Sequence, residues 1–525
     1  MIDVQTDSKL LFAASALVAS WLLWVFFVPP KQLHNGFNKV PIIKNRLPGL
    51  GGVGFYANRY TFLSKNVTKD PRHPHHGIAK FNLLGKVVYH VGGNDEETMR
   101  AICLNKDLSF SGGNNFLFAG IAGARQGGIN EDGEVDTEEK RVMRDLIKAI
   151  SPTRLNPIAP RLVEDAYEGI QEWLGNGASA DLDMQQTYYP LVFRFTVRVM
   201  GMAEYASSPE DLKRFVAAFW ATQRNSGFWT TILPWVPQPR LLMRLWGAVT
   251  LWRMVRKTLA ERQKTGHREE DYAQDLIDNG YSHNQVSKFV IGGIIAGILN
   301  TIGTGAYSVA FVGADDDLKR QCRAGLEAGL RKVAESRGEV YEDLTPLQKL
   351  QMVKLEDWES IPDFEILHLV FKESIRLMLT NSLNRYYPGP SKDKEGKLKP
   401  RLTIYGEEIE DDAYVTFSPP SNLHDADAFP EPFKFDPMRY KRGQGQTEYT
   451  FIGWGAGHHK CTGMRFAKLE TIIALSSFLL FTDFETVDDR GKRYSLQEVP
   501  LPDLSQSHWR TPRRPMRVRI TKPTQ

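Results

Sequence analysis

Residues 451–466 decide the fold, and they read FIGWGAGHHKCTGMRF. Glycines crowd the positions just before Cys461, and Gly463 follows it where an amphipathic helical pattern begins. Gly455 and Gly457 allow turns that other residues resist and a close approach of the backbone to a bound group. A cysteine just before a helix is favoured as a thiolate, because the helix dipole and the free amides stabilise negative charge. The stretch therefore has what a thiolate ligand of a large planar cofactor needs.

The same stretch resembles the haem-binding signature of cytochromes P450, Phe-Gly-x-Gly-x-Arg/His-x-Cys-x-Gly. The resemblance implies a haem b cofactor with Cys461 as the axial thiolate ligand of its iron. Trp454 replaces the usual Phe and keeps an aromatic residue beside the ligand. His459 stands where the family places an Arg or His that contacts a haem propionate, and Gly455 and Gly463 fall on two of the signature glycines.

Two further segments match the family in the expected order. Residues 372–376, KESIR, match its Glu-x-x-Arg helix, and residues 3 and 4 apart share a helix face, so Glu373 and Arg376 can pair. Residues 435–440, FDPMRY, resemble its later Pro-x-Arg segment, whose Arg439 completes a buried Glu-Arg-Arg network. Such a network is costly unless fully hydrogen-bonded, so we assign it to the fold rather than to the chemistry.

The resemblance offers three basic residues for the haem propionates. Arg385 follows the Glu-x-x-Arg helix, and Lys140 and Arg144 lie on an earlier helix where the family usually has Trp-x-x-x-Arg. The alternative for Lys140 and Arg144 is an ordinary solvated helix face.

The helix that activates oxygen in the family usually carries Ala/Gly-Gly-x-Asp/Glu-Thr, and residues 296–301 read AGILNT. Aligned on Ala-Gly, Leu299 replaces the acid and Asn300 the hydroxyl. Shifted by one residue, Asn300 takes the acid position and Thr301 the hydroxyl position. Both alignments remain open, and Asn300 and Thr301 are the candidate catalytic residues.

Several glycines weaken this same helix. Gly292, Gly293 and Gly297 each cost about 1 kcal/mol relative to alanine in a helix interior. We expect the compensation to be a groove against the haem or a local widening that holds water. The alternative is a loosened buried helix.

Residues 10–28, LLFAASALVASWLLWVFFV, carry no charge. As a helix they would span about 28 Å, close to the roughly 30 Å of the bilayer core. Basic residues follow the segment, so the positive-inside rule places the body of the protein in the cytosol. The alternative is a cleaved signal peptide, but the apolar run is long and no small-residue cleavage site follows it.

Composition argues against a nucleic-acid-binding protein, a disulfide framework and a zinc site. A formal net charge of +4 without a dense basic tract argues against a nucleic-acid partner. The three cysteines Cys103, Cys322 and Cys461 lack the paired spacing of a disulfide framework or a zinc site, and we expect the first two to be buried.

Periodicity predicts a mainly α protein with a small β portion, which agrees with the cytochrome P450 fold plus one N-terminal transmembrane helix. Helical patterns run through residues 138–150, 209–223, 285–300 and 464–480, and short strands and turns are expected near 87–93, 401–409 and 413–420. We divide the chain into a membrane anchor at 1–30, a Pro/Gly-rich hinge at 31–60 and a catalytic domain at 61–525.

The resemblance is greatest to fungal microsomal enzymes of secondary metabolism. It implies a monooxygenase that oxidises a small lipophilic substrate with O2 and electrons from NADPH-cytochrome P450 reductase, with cytochrome b5 as a second possible donor. It also implies a single-pass protein of the endoplasmic reticulum membrane. Two alternatives remain, namely a haem-thiolate isomerase or dehydratase that needs no reductase, and a non-catalytic haem-binding or ligand-binding protein.

Overall fold

The computed structural model describes residues 37–43, 52, 54–67, 77–83, 85–92, 95–117, 137–225, 230, 238–380, 382–504 and 512–523, together with Ala16 and Ser20. These residues form two compact units. The first combines residues from Met1–Leu117 and Thr380–Asn422, and the second combines residues from Phe118–Leu379 and Leu423–Gln525.

Helices dominate the described chain. In the first half they are α1 Gly54–Ala57, α2 Arg59–Asn66, α3 Glu96–Leu104, α4 Phe110–Leu117, α5 Thr137–Ala149, α6 Pro152–Leu174, α7 Met184–Met200, α8 Ala203–Ser207, α9 Pro209–Arg224 and α10 Pro239–Thr265. They continue with α11 Tyr272–Asp278, α12 His283–Gly313, α13 Asp316–Ser336, α14 Pro346–Gln351, α15 Leu355–Ser360, α16 Glu365–Met378, α17 Pro419–Leu423 and α18 Met464–Phe481.

The strands are short and form three small sheets. They are β1 Ile78–Leu83, β2 Lys86–Val91, β3 Ser179–Asp183, β4 Leu383–Tyr387, β5 Thr403–Ile404, β6 Glu407–Glu408, β7 Ala413–Phe417, β8 Asp483–Val487 and β9 Arg517–Thr521. The first unit contains the four-stranded sheet β1-β2-β7-β4 and the pair β5-β6, and the second contains β3-β9-β8.

The four-stranded sheet organises the first unit. β1 and β2 pair antiparallel, β2 and β7 pair parallel, and β4 pairs antiparallel with β7. Phe55 of α1 and Leu63 of α2 pack with Phe81 and Val88 in one buried cluster. This sheet places Arg385 in the middle of β4, opposite Val415.

The long helix α12 is the centre of the second unit. Ser282 starts it with a capping box, in which the Ser282 hydroxyl and the Gln285 side chain satisfy each other's backbone amides. Apolar residues then occupy most of its surface, and α7, α10, α16 and α18 contact it. A helix that is apolar all round is stable only when surrounded in this way.

The described elements confirm the mainly helical class and the small β portion. The predicted helices at 138–150, 209–223, 285–300 and 464–480 correspond to α5, α9, α12 and α18, and β2, β5 to β7 account for the predicted strands. Cys103 and Cys322 are buried as expected. The short helix α1 and the start of α2 fall within the last residues of the predicted hinge.

The predicted membrane anchor at residues 10–28 lies outside the described residues except for Ala16 and Ser20. Within the described ranges, His283–Gly313 alone is long and apolar enough to cross a bilayer. Of its most apolar window, 61% is buried inside the protein, which is typical of a core helix.

A buried ion pair joins α6 to α7 and gives a test of this packing. Arg198 Nε and Nη2 donate to Asp165 at 2.6 and 2.8 Å, and the Asp165 side chain is fully buried. We expect Asp165→Ala to lower the free energy of unfolding by roughly 3–5 kcal/mol, because it leaves a buried guanidinium without its partner. Urea unfolding followed by tryptophan fluorescence measures the change.

Asp317→Ala is the matched control, because it breaks an exposed pair with Arg320 on α13. Exposed pairs contribute little to stability. Equal effects of the two substitutions would contradict the buried role of Asp165.

Candidate active site

The loop around Cys461 is closed by backbone contacts. Two short 3-10 turns, Ile452–Trp454 and Gly457–His459, flank Gly455, whose φ is +68°. A Cβ at Gly455 would lie 3.0 Å from the His459 carbonyl oxygen, so both the dihedral and the space favour glycine. The Cys461 amide donates to the Trp454 carbonyl at 2.7 Å and fixes the cysteine just ahead of α18.

The Cys461 side chain is exposed and lies at the N-terminus of α18. Desolvation by the surrounding protein raises the pKa of this thiol, whereas hydrogen bonds from the Gly463 and Met464 amides lower it. A bound metal ion would deprotonate the thiol outright. The same two amides would then stabilise the thiolate and tune the potential of the iron.

The surroundings of the Cys461 sulfur suit a bound haem. A Cβ at Gly463 would meet Cys461 Sγ at 4.0 Å and no other described atom within that distance, so there is open space beside the sulfur. Protein packing alone does not require glycine there. The soft thiolate donor, the two amides aimed at it and the open side are the features that a haem-thiolate centre needs.

Trp454 is half-buried and meets Phe371 of α16 edge to face, with ring centroids 5.8 Å apart. The aromatic residue in the loop therefore packs against the helix that carries Glu373. His459 is exposed, and Lys460 pairs with Glu448 at 3.3 Å.

Glu373 lies at the centre of a buried network. Its carboxylate accepts two hydrogen bonds from Arg376, both at 2.8 Å, and one from Arg439 Nε at 2.9 Å. The Tyr440 hydroxyl and the Asp436 amide donate to the same carboxylate at 2.9 and 3.1 Å. Five donors on one carboxylate offset the cost of burying its charge.

The two arginines hold the chain that leads to the Cys461 loop. Arg376 Nη1 donates to the carbonyls of Leu423 and Pro432 at 2.8 and 2.6 Å. Arg439 Nη1 donates to the Pro430 carbonyl at 3.0 Å and to Gln444 Oε1 at 2.7 Å. These contacts fix the irregular segment between α17 and the loop.

Sequence reasoning missed two neighbours of this network. His424 Nε2 lies 3.1 Å from the Arg376 carbonyl oxygen, and burial together with the Arg376 charge lowers the pKa of His424 to about 3. Lys372 places its Nζ 4.0 Å from the centroid of the Tyr440 ring. The sequence shows both residues, but only the packing shows that they lie against the network.

The helix α5 lies beside the residue that follows Cys461. Thr462 Oγ1 is 3.4 Å from Met143 Sδ, which brings the α5 backbone next to the loop. Arg144 on α5 is exposed and lies close enough to Tyr281 to lower the pKa of that tyrosine, against the larger effect of burial. Lys140 belongs to α5, and its side chain lies outside what the structure describes.

Arg385 in the first unit is buried and poorly satisfied. Its Nη1 donates to the Asn384 carbonyl at 2.9 Å, but its Nε has no hydrogen-bond partner among the described residues. Burial lowers the pKa of Arg385. A buried guanidinium with an unfilled donor suits an anionic ligand.

Asn300 and Thr301 lie on different faces of α12. Asn300 is exposed, as is Ala296 one turn earlier, whereas Thr301 is buried and donates to the Gly297 carbonyl at 2.9 Å. Leu299 packs against the core of the second unit. The exposed face therefore presents Ala296 and Asn300, not Thr301.

Two of the glycines of α12, Gly293 and Gly297, lie against a neighbouring helix. A Cβ at Gly293 would lie 2.9 Å from Met200 Sδ, and one at Gly297 would lie 3.1 Å from Thr196 Cγ2. Both neighbours belong to α7. These glycines therefore allow close helix packing, and the described backbone stays α-helical from His283 to Gly313.

A substitution at Glu373 tests the network. We expect Glu373→Gln to lower the free energy of unfolding by roughly 3–5 kcal/mol and to reduce haem retention, because two buried arginines lose their carboxylate. Haem content by absorbance and urea unfolding measure the two effects. Glu365→Gln on the same helix is the control, since Glu365 is exposed and pairs with Lys441. Haem retention equal in the two variants would contradict the role of Glu373.

Known proteins resemble this chain over most of its length. A family model described as Cytochrome P450 matches residues 88–506. The cytochrome P450 monooxygenase AacuE of Aspergillus aculeatus is 25% identical over 467 residues, which cover 85% of this chain and 86% of the relative. The cytochrome P450 monooxygenase claM of Passalora fulva is 25% identical over 506 residues, covering 93% and 88%. Mouse lanosterol 14-alpha demethylase is 22% identical over 473 residues, covering 87% and 84%. The chain therefore belongs to the cytochrome P450 family.

Proposed function

We propose that this protein is a haem-thiolate monooxygenase that oxidises a small lipophilic secondary metabolite. The observation that carries the proposal is Cys461 at the start of α18, with an open side and two amides directed at its sulfur. Relatives named as monooxygenases of fungi support the reaction class. Haem bound at this cysteine would activate O2, so that one oxygen atom enters the substrate and the other leaves as water.

The proposed site residues would have distinct roles toward a bound haem. Cys461 would ligate the iron, and Trp454 would pack beside it. His459 and Arg385, with Arg144 and Lys140 as further candidates, would neutralise the propionates. Glu373, Arg376 and Arg439 would hold the loop in place without touching the reacting atoms.

We further propose that Asn300, rather than Thr301, takes the position of the family's hydroxyl. Asn300 and Ala296 share the exposed face of α12, while the Thr301 hydroxyl is directed to the Gly297 carbonyl. This arrangement supports the alignment on Ala-Gly, with Leu299 in place of the acid. A side-chain amide can both donate and accept, so Asn300 can hold a water that delivers protons.

Electrons would come from an NADPH-dependent reductase, with cytochrome b5 as a second donor. Arg465 and Lys468 on α18 supply positive charge on the thiolate side, although Arg465 already pairs with Glu359 at 3.0 Å.

We also propose that residues 10–28 anchor the chain in the endoplasmic reticulum membrane, with the catalytic domain in the cytosol. The uncharged segment and the basic residues after it support this topology.

A second candidate is a haem-thiolate isomerase or dehydratase that acts without a reductase. The observation that favours it is the absence of an acid among residues 296–301. A chain that lacks the usual acid is less suited to delivering protons to bound oxygen.

The test is turnover by the haem-loaded full-length protein with reductase, NADPH and candidate metabolites, followed by mass spectrometry. We expect substrate-dependent NADPH consumption and a product heavier by one oxygen atom. Asn300→Leu should lower the product formed per NADPH by roughly 100-fold, because it removes the group that holds the proton-delivering water.

Asn300→Thr is the matched control and should retain most of the yield. Conversion of a hydroperoxide without reductase or NADPH would select the isomerase or dehydratase. An Asn300→Leu variant with the wild-type yield would contradict the role of Asn300.

A further inference from the structure

A cavity of about 620 Å³ lies among α6, α7 and α9 and has no part in the proposed site. Its apolar lining includes Trp173 of α6, Leu191 of α7, and Leu212 and Val216 of α9. Leu191 and Leu212 are buried, and Trp173 and Val216 are half-buried. Cavities of this size with largely apolar walls are suited to small organic molecules.

The cavity lies on the side of α7 that faces away from α12. Thr196 and Met200 of α7 lie against glycines of α12, whereas Leu191 and Arg194 of α7 line the cavity. With 3.6 residues per helical turn, these two pairs point in roughly opposite directions. A molecule in the cavity would therefore be separated from α12 by α7.

Arg194 is a cation in the cavity wall whose hydrogen-bonding capacity is largely unused. Its side chain is only 10% exposed. Its Nη1 lies 3.4 Å from the Asp165 carbonyl oxygen and 3.5 Å from Glu168 Oε2, and its Nε has no hydrogen-bond partner among the described residues. A buried guanidinium is stable when short, well-aligned acceptors surround it, and Arg194 has none at short distance.

The next arginine of α7 takes the acceptor that Arg194 lacks. Arg198, one turn further along, donates to both carboxylate oxygens of Asp165 at 2.6 and 2.8 Å. Glu168 is half-exposed and also lies 3.6 Å from Arg161, so water and a second cation share its charge. The protein therefore leaves Arg194 with an incomplete set of acceptors.

The other charged residues of the cavity limit the kind of ligand that it can hold. Lys213 of α9 is exposed and forms no ion pair with a described residue, so it offers a second cation. Glu172 and Glu210 also line the cavity and are exposed. Two carboxylates in the wall disfavour a multiply charged anion, whereas a single carboxylate can lie between the two cations.

We propose that this cavity is a binding site for a small apolar monocarboxylate, with its carboxylate on Arg194 and its apolar part against Trp173 and Leu212. The carboxylate would supply the short acceptors that the guanidinium lacks, and the apolar part would fill the space between α6 and α9. The site lies apart from the proposed catalytic residues, so the inference does not depend on the proposed function.

Photo-crosslinking of the haem-loaded full-length protein with 4-benzoylbenzoate tests the location. This aromatic monocarboxylate bonds to nearby C–H groups on irradiation, and mass spectrometry of the digested protein identifies the labelled residues. We expect labels in α6, α7 and α9, and far fewer there with the uncharged methyl ester. Labels found only in other elements, or equal labelling of these helices by the acid and the ester, would overturn the inference.

The affinity for the same probe, taken from the concentration dependence of the labelling, tests the role of Arg194. Arg194→Met should weaken binding roughly 10- to 100-fold, because it removes a hydrogen bond between charged groups. Arg214→Met on α9 is the control and should leave the affinity unchanged, since Arg214 is exposed and does not line the cavity.

Val216→Trp tests the cavity without removing a buried charge, and it provides the comparison if Arg194→Met fails to fold. The larger side chain would fill part of the cavity from α9, so labelling of α6 and α7 should fall at least tenfold while haem content stays at the wild-type level. Wild-type affinity in a folded Arg194→Met variant, or wild-type labelling in a folded Val216→Trp variant, would contradict the proposed site.

Discussion

The carboxylate of Glu373 is the interaction on which the thiolate side of this structure depends. Arg376 and Arg439 both donate to it, and their remaining donors hold backbone carbonyls of the irregular segment before the Cys461 loop. That segment has little regular structure of its own, so its path is set by these hydrogen bonds. These contacts fix the chain before the cysteine, and we assign the network to the fold rather than to the chemistry.

The long helix α12 carries the proposed catalytic residue Asn300, and its surface has three distinct faces. Gly293 and Gly297 allow α7 to pack closely, while Ala296 and Asn300 remain exposed. Thr301 is buried, and its hydroxyl donates to the Gly297 carbonyl. Since α18 begins just after the Cys461 loop and also packs against α12, one helix connects the cysteine to the packing of α12.

Sequence alone predicted the features that depend on local spacing. The glycines around Cys461 and the three-residue spacing of Glu373 and Arg376 are short-range patterns, and the long apolar periodicities gave α12 and α18. Features that depend on which faces meet could not be predicted. The direction of Thr301, the packing role of the α12 glycines and the unsatisfied carboxyl of Glu470 appear only when three helices are brought together. A glutamate within the mostly apolar helix α18 was the signal in the sequence that pointed to a buried acid.

The most direct test of the account is the absorption spectrum of the reduced, carbon monoxide-bound full-length protein. The account predicts the band typical of thiolate-ligated haem for the wild type and for Cys322→Ala, which removes a buried cysteine far along the chain. It predicts loss of that band in Cys461→Ser. A thiolate band that persists in Cys461→Ser, or its absence in the haem-loaded wild type, would contradict the assignment of Cys461 as the axial ligand.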